Sequence, residues 1–86
     1  MGEAEIGRIT HFFANIGVGV IEVTKGTLKV GDTIHIKGAN TDFKQKIVSM
    51  QVEHDQVQEA NEGQSIGMKL DDRVRQHDKV FKILSD

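Results

Sequence analysis

The residues best suited to chemistry in this chain are four histidines, three serines, one acidic pair and a set of lysines and arginines in short alternating pairs. His11, His35, His54 and His77 stand on separate segments with neither an HxH nor an HExxH spacing, so the sequence forms no metal-binding motif. Ser49, Ser65 and Ser85 lack a nucleophile-elbow context, and there is no cysteine to act as a thiolate. Asp71-Asp72 reads as loop charge. Together these residues predict no catalytic centre, no metal and no cofactor, and the chain is expected not to be an enzyme.

The cations are more suggestive. Lys44 and Lys46 fall two residues apart, as do Arg73 and Arg75, which puts each pair on one face of an extended segment. Lys25, Lys29 and Lys37 lie beside glycine-containing turns, so the seven form a candidate surface for phosphates or a protein partner. Asp42, Asp71, Asp72 and Asp78 are interleaved with them. Eleven Lys and Arg against thirteen Asp and Glu give a formal charge of -2, which provides no global attraction for nucleic acid or an anionic membrane. Four Phe and no Tyr or Trp leave no aromatic platform for stacking bases. Any RNA contact must be local.

The elements that would position these side chains are strands. Residues 6–13 carry Ile6, Ile9, Phe12 and Phe13, and the Ala14-Asn15-Ile16-Gly17 turn leads into a β-branched run over 18–23. Apolar parity changes between Val20 and Ile21, which predicts a bulge or a strong coil there, where a barrel strand bends from one side to the other. Gly26 and Gly31 supply φ freedom for two close turns, Asp32 can bond its own turn backbone, and Gly63 serves a turn before a later strand. Residues 33–37 alternate, with Ile34 and Ile36 toward a core and Thr33, His35 and Lys37 toward solvent. A longer extended stretch over 43–54 places Val48, Met50 and Val52 inward, with Phe43 and Ile47 of opposite parity. Residues 56–64 read as an irregular connector or one helical turn. Ile66, Met68 and Leu70 then face inward, residues 71–78 form a charged loop, and a last strand carries Val80, Phe81, Ile83 and Leu84 against the first.

About six strands and two parity switches predict an all-β domain, a small closed six-stranded antiparallel-type barrel. It spans residues 1–86 as one domain, with an ordered core over about 5–84. No stretch approaches the roughly 20 apolar residues that cross a bilayer, and no apolar run of signal-peptide length follows Met1, so a cytoplasmic location is expected.

The stretch GTLKVGDTIHI, residues 26–36, resembles the turn-and-strand hallmark of the second domain of translational GTPases such as elongation factor Tu. The resemblance continues in order through GVGVIEV, IVSMQV and EGQSIGMKL, covering about residues 6–83. It implies the translation-protein architecture without a GTPase domain, since no GxxxxGK[ST] loop is present to bind a nucleotide. In elongation factor Tu-like proteins the turn entering the fifth strand helps hold the terminal adenosine of aminoacyl-tRNA, and the matching positions here are Gln64 and Ser65. Where those factors carry an aromatic and basic cluster, this chain reads Glu53-His54-Asp55.

Two functional expectations follow. One is a free-standing translation-factor-like module that binds tRNA, ribosomal RNA or a ribosome-associated partner. The other is a protein-protein adaptor or a detached accessory domain, because the ending VRQHDKVFKI, residues 74–83, is similar to small barrels at the C-termini of collagenase-like peptidases and related RNA-modifying proteins.

Overall fold

A computed structural model describes residues 2–84. Ten strands are formed: β1 Gly2–Phe13, β2 Val18–Val23, β3 Thr27–Lys29, β4 Thr33–Gly38, β5 Thr41–Lys46, β6 Met50–Val52, β7 Asp55–Val57, β8 Glu59–Asn61, β9 Ser65–Lys69 and β10 Lys79–Leu84. Eight of them make one antiparallel sheet in the order β5-β4-β10-β1-β2-β9-β6-β7, and β3 pairs with β8 as a separate ribbon.

Period-two alternation sets which side chains face the core. In β2, Gly19, Ile21 and Val23 are buried while Val18, Val20 and Glu22 are only half-buried. β2 therefore keeps strict parity, and no bulge falls between Val20 and Ile21 as expected from the sequence. The irregularities are in β1, whose register shifts between Glu5 and Gly7 against β10 and between Ile9 and His11 against β2. Those shifts let one 12-residue strand coil across two neighbours. Gly7 makes the coil possible, because a Cβ there would lie 2.2 Å from the Glu22 carbonyl oxygen.

The core gathers Ile9, Ile21, Leu28, Ile34, Ile36, Ile47, Met50 and Ile66, all essentially inaccessible to solvent. Met68 and Leu70 join it, and Val52 packs against it half-buried. Val48 does not: it is 82% exposed. The reason lies in the backbone, for β5 ends at Lys46 and Ile47 instead bonds the β3–β4 turn, accepting from Gly31 N at 2.8 Å and donating to Asp32 O at 2.8 Å. With Ile47 fixed in the core, the next side chain must point out. The long extended stretch expected over 43–54 is accordingly broken, and residues 56–64, expected to be irregular or helical, hold most of β7 and all of β8.

The described ladders do not close into a six-stranded barrel. β10 pairs with β1, as the sequence suggests, but β5 pairs only with β4, and β6 meets β9 through the single pair Gln51↔Gly67. A seam remains between β5 and the end of β9. It is bridged by a side chain: the Gln45 amide donates to Lys69 O at 3.0 Å and accepts from Asp71 N at 2.8 Å.

Candidate functional site

Two surface features collect most of the side chains with chemical potential. The first lies at the seam, where the β4–β5 hairpin faces residues 70–78. In that connector Val74 is buried, so its neighbours Arg73 and Arg75 point outward on either side of it. The loop is held from both flanks. Asp78, itself buried, accepts from Arg75 N at 2.9 Å, while His77 N and Asp78 O bond Ile9 across 2.8 Å each. The result is an open cleft of about 260 Å³ lined by Asn40, Thr41, Asp42, Phe43, Asp72, Arg73 and Arg75.

Behind one wall of this cleft sits His35. Its Nδ1 lies 2.9 Å from both oxygens of Glu3, and its Nε2 lies 2.5 Å from Asp42 Oδ1. The sequence expectation of a solvent-facing His35 is corrected: only 9% of the residue is exposed. Alternation with Ile34 and Ile36 is kept, but the arm of β1 that carries Glu3, together with Phe81 on β10, covers this part of the sheet's outer face. The hydrogen bonds to Asp42 and then Glu3 raise the imidazole above its ordinary value of 6.5, outweighing desolvation, and the same contact to His35 holds Asp42 below its ordinary 3.8. An imidazolium donating from both ring nitrogens has no lone pair to accept a proton. It acts as an ionic clamp, not as a general base.

The second feature is a groove of about 360 Å³ between two hairpin tips. Phe13 and Ile16, 48% and 56% exposed, stand on the β1–β2 side, and Glu53 and His54 stand on the β6–β7 side. Val18, Val20 and Gly67 form its floor, with Ser65 at the rim. The Glu53-His54 turn has φ of 52° and 71°, the left-handed geometry a two-residue hairpin requires.

The residues singled out from the sequence are thus dispersed. Arg73 and Arg75 share the seam cleft, whereas Ser65 belongs to the groove. Gln64 turns inward on its own loop, its Oε1 accepting from Asn61 N at 2.7 Å. Lys37, Lys44 and Lys46 lie exposed along the β4–β5 hairpin, near Asp42. Lys25 and Lys29 flank the β3 ribbon, where Gly26 and Gly31 have φ of 69° and 100° and Asp32 accepts from Lys29 N at 2.9 Å. Gly63, with φ of 90°, turns the chain into β9. Ser85 lies outside the described residues. The seven cations therefore make no continuous basic face, and among the described residues no group of three His, Asp or Glu is placed to hold a metal ion. Among the described residues no helix is long and apolar enough to cross a membrane. Sequence reasoning named His35 but missed its partner Glu3, and it missed Gln45 and the exposed Phe13–Ile16 tip; only the neighbouring apolar pair Phe12-Phe13, out of step with strand alternation, hints at the last.

The sheet and its turns match the family model described as elongation factor Tu domain 2 over residues 17–73, more than half of the chain. The chain belongs to that family. The fold is shared with the C-terminal domain of a Geobacillus thermoleovorans protein described as a U32 peptidase, at a TM-score of 0.87 and 15% identity over 94% of this chain and 93% of that one. The selenomethionine variant of the same domain gives 0.83 at 15% identity, over 88% and 95%. By sequence, the chain is 41% identical to an uncharacterised protease of Methanocaldococcus jannaschii over 90% of its own length and 19% of the protease. It is 32% identical to a collagenase of Porphyromonas gingivalis over 90% of its length and 22% of the collagenase. The chain thus spans about a fifth of the length of these relatives. Their names are those of peptidases, which corrects the expectation of a stand-alone translation factor.

Proposed function

We propose that this chain is a non-catalytic accessory domain that docks onto a U32-type peptidase-like catalytic body and helps present substrate to it. The observation that carries this reading is the alignment itself: nearly the whole chain matches a protease and a collagenase, and accounts for only about a fifth of either. A domain that recurs as a fraction of longer proteins contributes binding and positioning in addition to whatever the remainder does. Supporting it is the groove at the hairpin tips, since half-exposed Phe13 and Ile16 on so small a domain are apolar surface available to a partner.

The test is affinity capture of the tagged chain from its native cells, read by mass spectrometry. Enrichment of a peptidase-like protein is expected, and Phe13→Ser with Ile16→Ser should abolish it without lowering the melting temperature. Salt-sensitive enrichment of ribosomal proteins or tRNA in its place would overturn the reading.

A further inference from the structure

We propose that the seam cleft between the β4–β5 hairpin and residues 70–78 is a binding site for a peptide carboxylate, a C-terminus or an acidic side chain. This deepens the accessory-domain reading and rests on it.

Four observations converge. Arg73 and Arg75 line the cleft, and among the described residues neither side chain has a salt-bridge partner. Two carboxylates also line it: Asp42 is bound by His35, and one oxygen of Asp72 accepts from the Arg73 backbone N–H at 2.8 Å, within the same loop. Two planar cationic forks thus stand at a space in which one of the two acids is paired with an imidazole, and a carboxylate, like a phosphate, has the geometry a guanidinium fork matches. The half-buried Phe43 ring forms a flat apolar wall for the carbon skeleton behind that carboxylate, and Asn40 offers a side-chain amide for a peptide group.

The same features disfavour RNA. A cleft of about 260 Å³ holds a residue or two, not a strand of nucleotides, and a domain of net charge -2 offers a phosphodiester chain no wider basic track to follow. The connector's backbone is pinned at Arg75, His77 and Asp78, so the arginines project from a fixed support.

Amide-resolved NMR titration of the 86-residue chain tests the site. The probes are N-acetyl-trialanine as the free acid, the same peptide as its C-terminal amide, inorganic phosphate and a short oligouridylate. The acid should shift the amides of residues 41–43 and 72–75 saturably, and the C-terminal amide should bind at least about tenfold more weakly. Arg73→Gln with Arg75→Gln should weaken the acid by a similar factor while the remaining spectrum stays dispersed, and Lys25→Gln should change nothing. Equal binding of acid and amide, no saturable shift at those residues, or tighter binding of phosphate or oligouridylate there would each overturn the proposal. Failure here with capture of a peptidase intact removes the cleft assignment alone. Capture of ribosomal components with carboxylate preference intact removes the docking reading alone.

Discussion

His35 illustrates how a residue acquires a role that its neighbours in sequence do not announce. Its partner Glu3 lies 32 positions away, at the start of β1, and reaches His35 across β10, the strand that pairs with both β1 and β4. Because the folded imidazole is raised above 6.5, its stabilising contribution is complete below that value and is lost as pH rises through the higher folded pKa. Asp42 works the other way: held below 3.8, its contribution is present above that value and lost as pH falls through the lowered pKa. Stability from this cluster therefore peaks between about 4 and 6.5. Thermal melts should show the midpoint falling on the alkaline side of that window, and His35→Gln should flatten the alkaline limb. If the limb persists in the variant, another group is responsible. Burial makes an equally sharp distinction two residues apart. Met50→Asp places a carboxylate where 1% of the residue is exposed and should cost about 3 kcal/mol or more, whereas Val48→Asp, at an 82% exposed position, should stay within about 0.5 kcal/mol. Circular dichroism melts that ranked the two together would contradict the assigned core.

At the scale of elements, alternation is legible wherever a strand has one buried face. Ile34 and Ile36, Ile66 and Met68, and the pairing of the last strand with the first were all readable from period-two spacing and length. What could not be read is where a ladder stops. Nothing in the run Ile47-Val48-Ser49-Met50 shows that Ile47 will bond Gly31 and Asp32, and that contact decides which side chains face out. β7 and β8, three residues each, are too short and polar for a pattern to register. The parity switch near Val20 was real in composition, but the sheet places its irregularities in the partner strand β1, where Ile6 and Ile9, both buried and three residues apart, depart from period-two spacing. The seam cleft was half legible, because Arg73 and Arg75 stood out as a pair, while Asn40 and Phe43 meet them only through tertiary packing. One element carries a measurable local strain. Glu53 and His54 both occupy left-handed geometry, which favours Asn and Gly at a two-residue hairpin, so Glu53→Asn with His54→Gly should stabilise by about 1 kcal/mol. The urea midpoint should rise at constant m-value; no rise would mean that the β6–β7 hairpin is not folded in step with the rest.

At the scale of the molecule, the decisive feature is the unclosed sheet. Gln45 spans the seam with one donor and one acceptor, and Gln45→Leu would keep the volume while leaving Lys69 O and Asp71 N without their partner. A loss of about 1–3 kcal/mol is expected, together with faster hydrogen exchange at the Asp71 amide, and unchanged exchange there would show that the seam is held by something else. The open seam also leaves β5 and β7 as outer strands of the main sheet, each with a row of N–H and C=O groups hydrogen-bonded on one side only. β5 turns Asp42, Lys44 and Lys46 outward along that row, and two chains of like charge keep apart. With an isoelectric point near 6.0, net-charge repulsion between whole molecules is weakest in the same mildly acidic range where the His35 clamp is strongest. Light scattering of concentrated samples should therefore rise near pH 6 even as thermal stability peaks, and Lys44→Gln with Lys46→Gln, which removes two positive charges, should move the maximum to lower pH. A filament growing from such a sample would add copies strand by strand at β5 or β7, so the best buffer for keeping this domain folded is not the best buffer for keeping it monomeric.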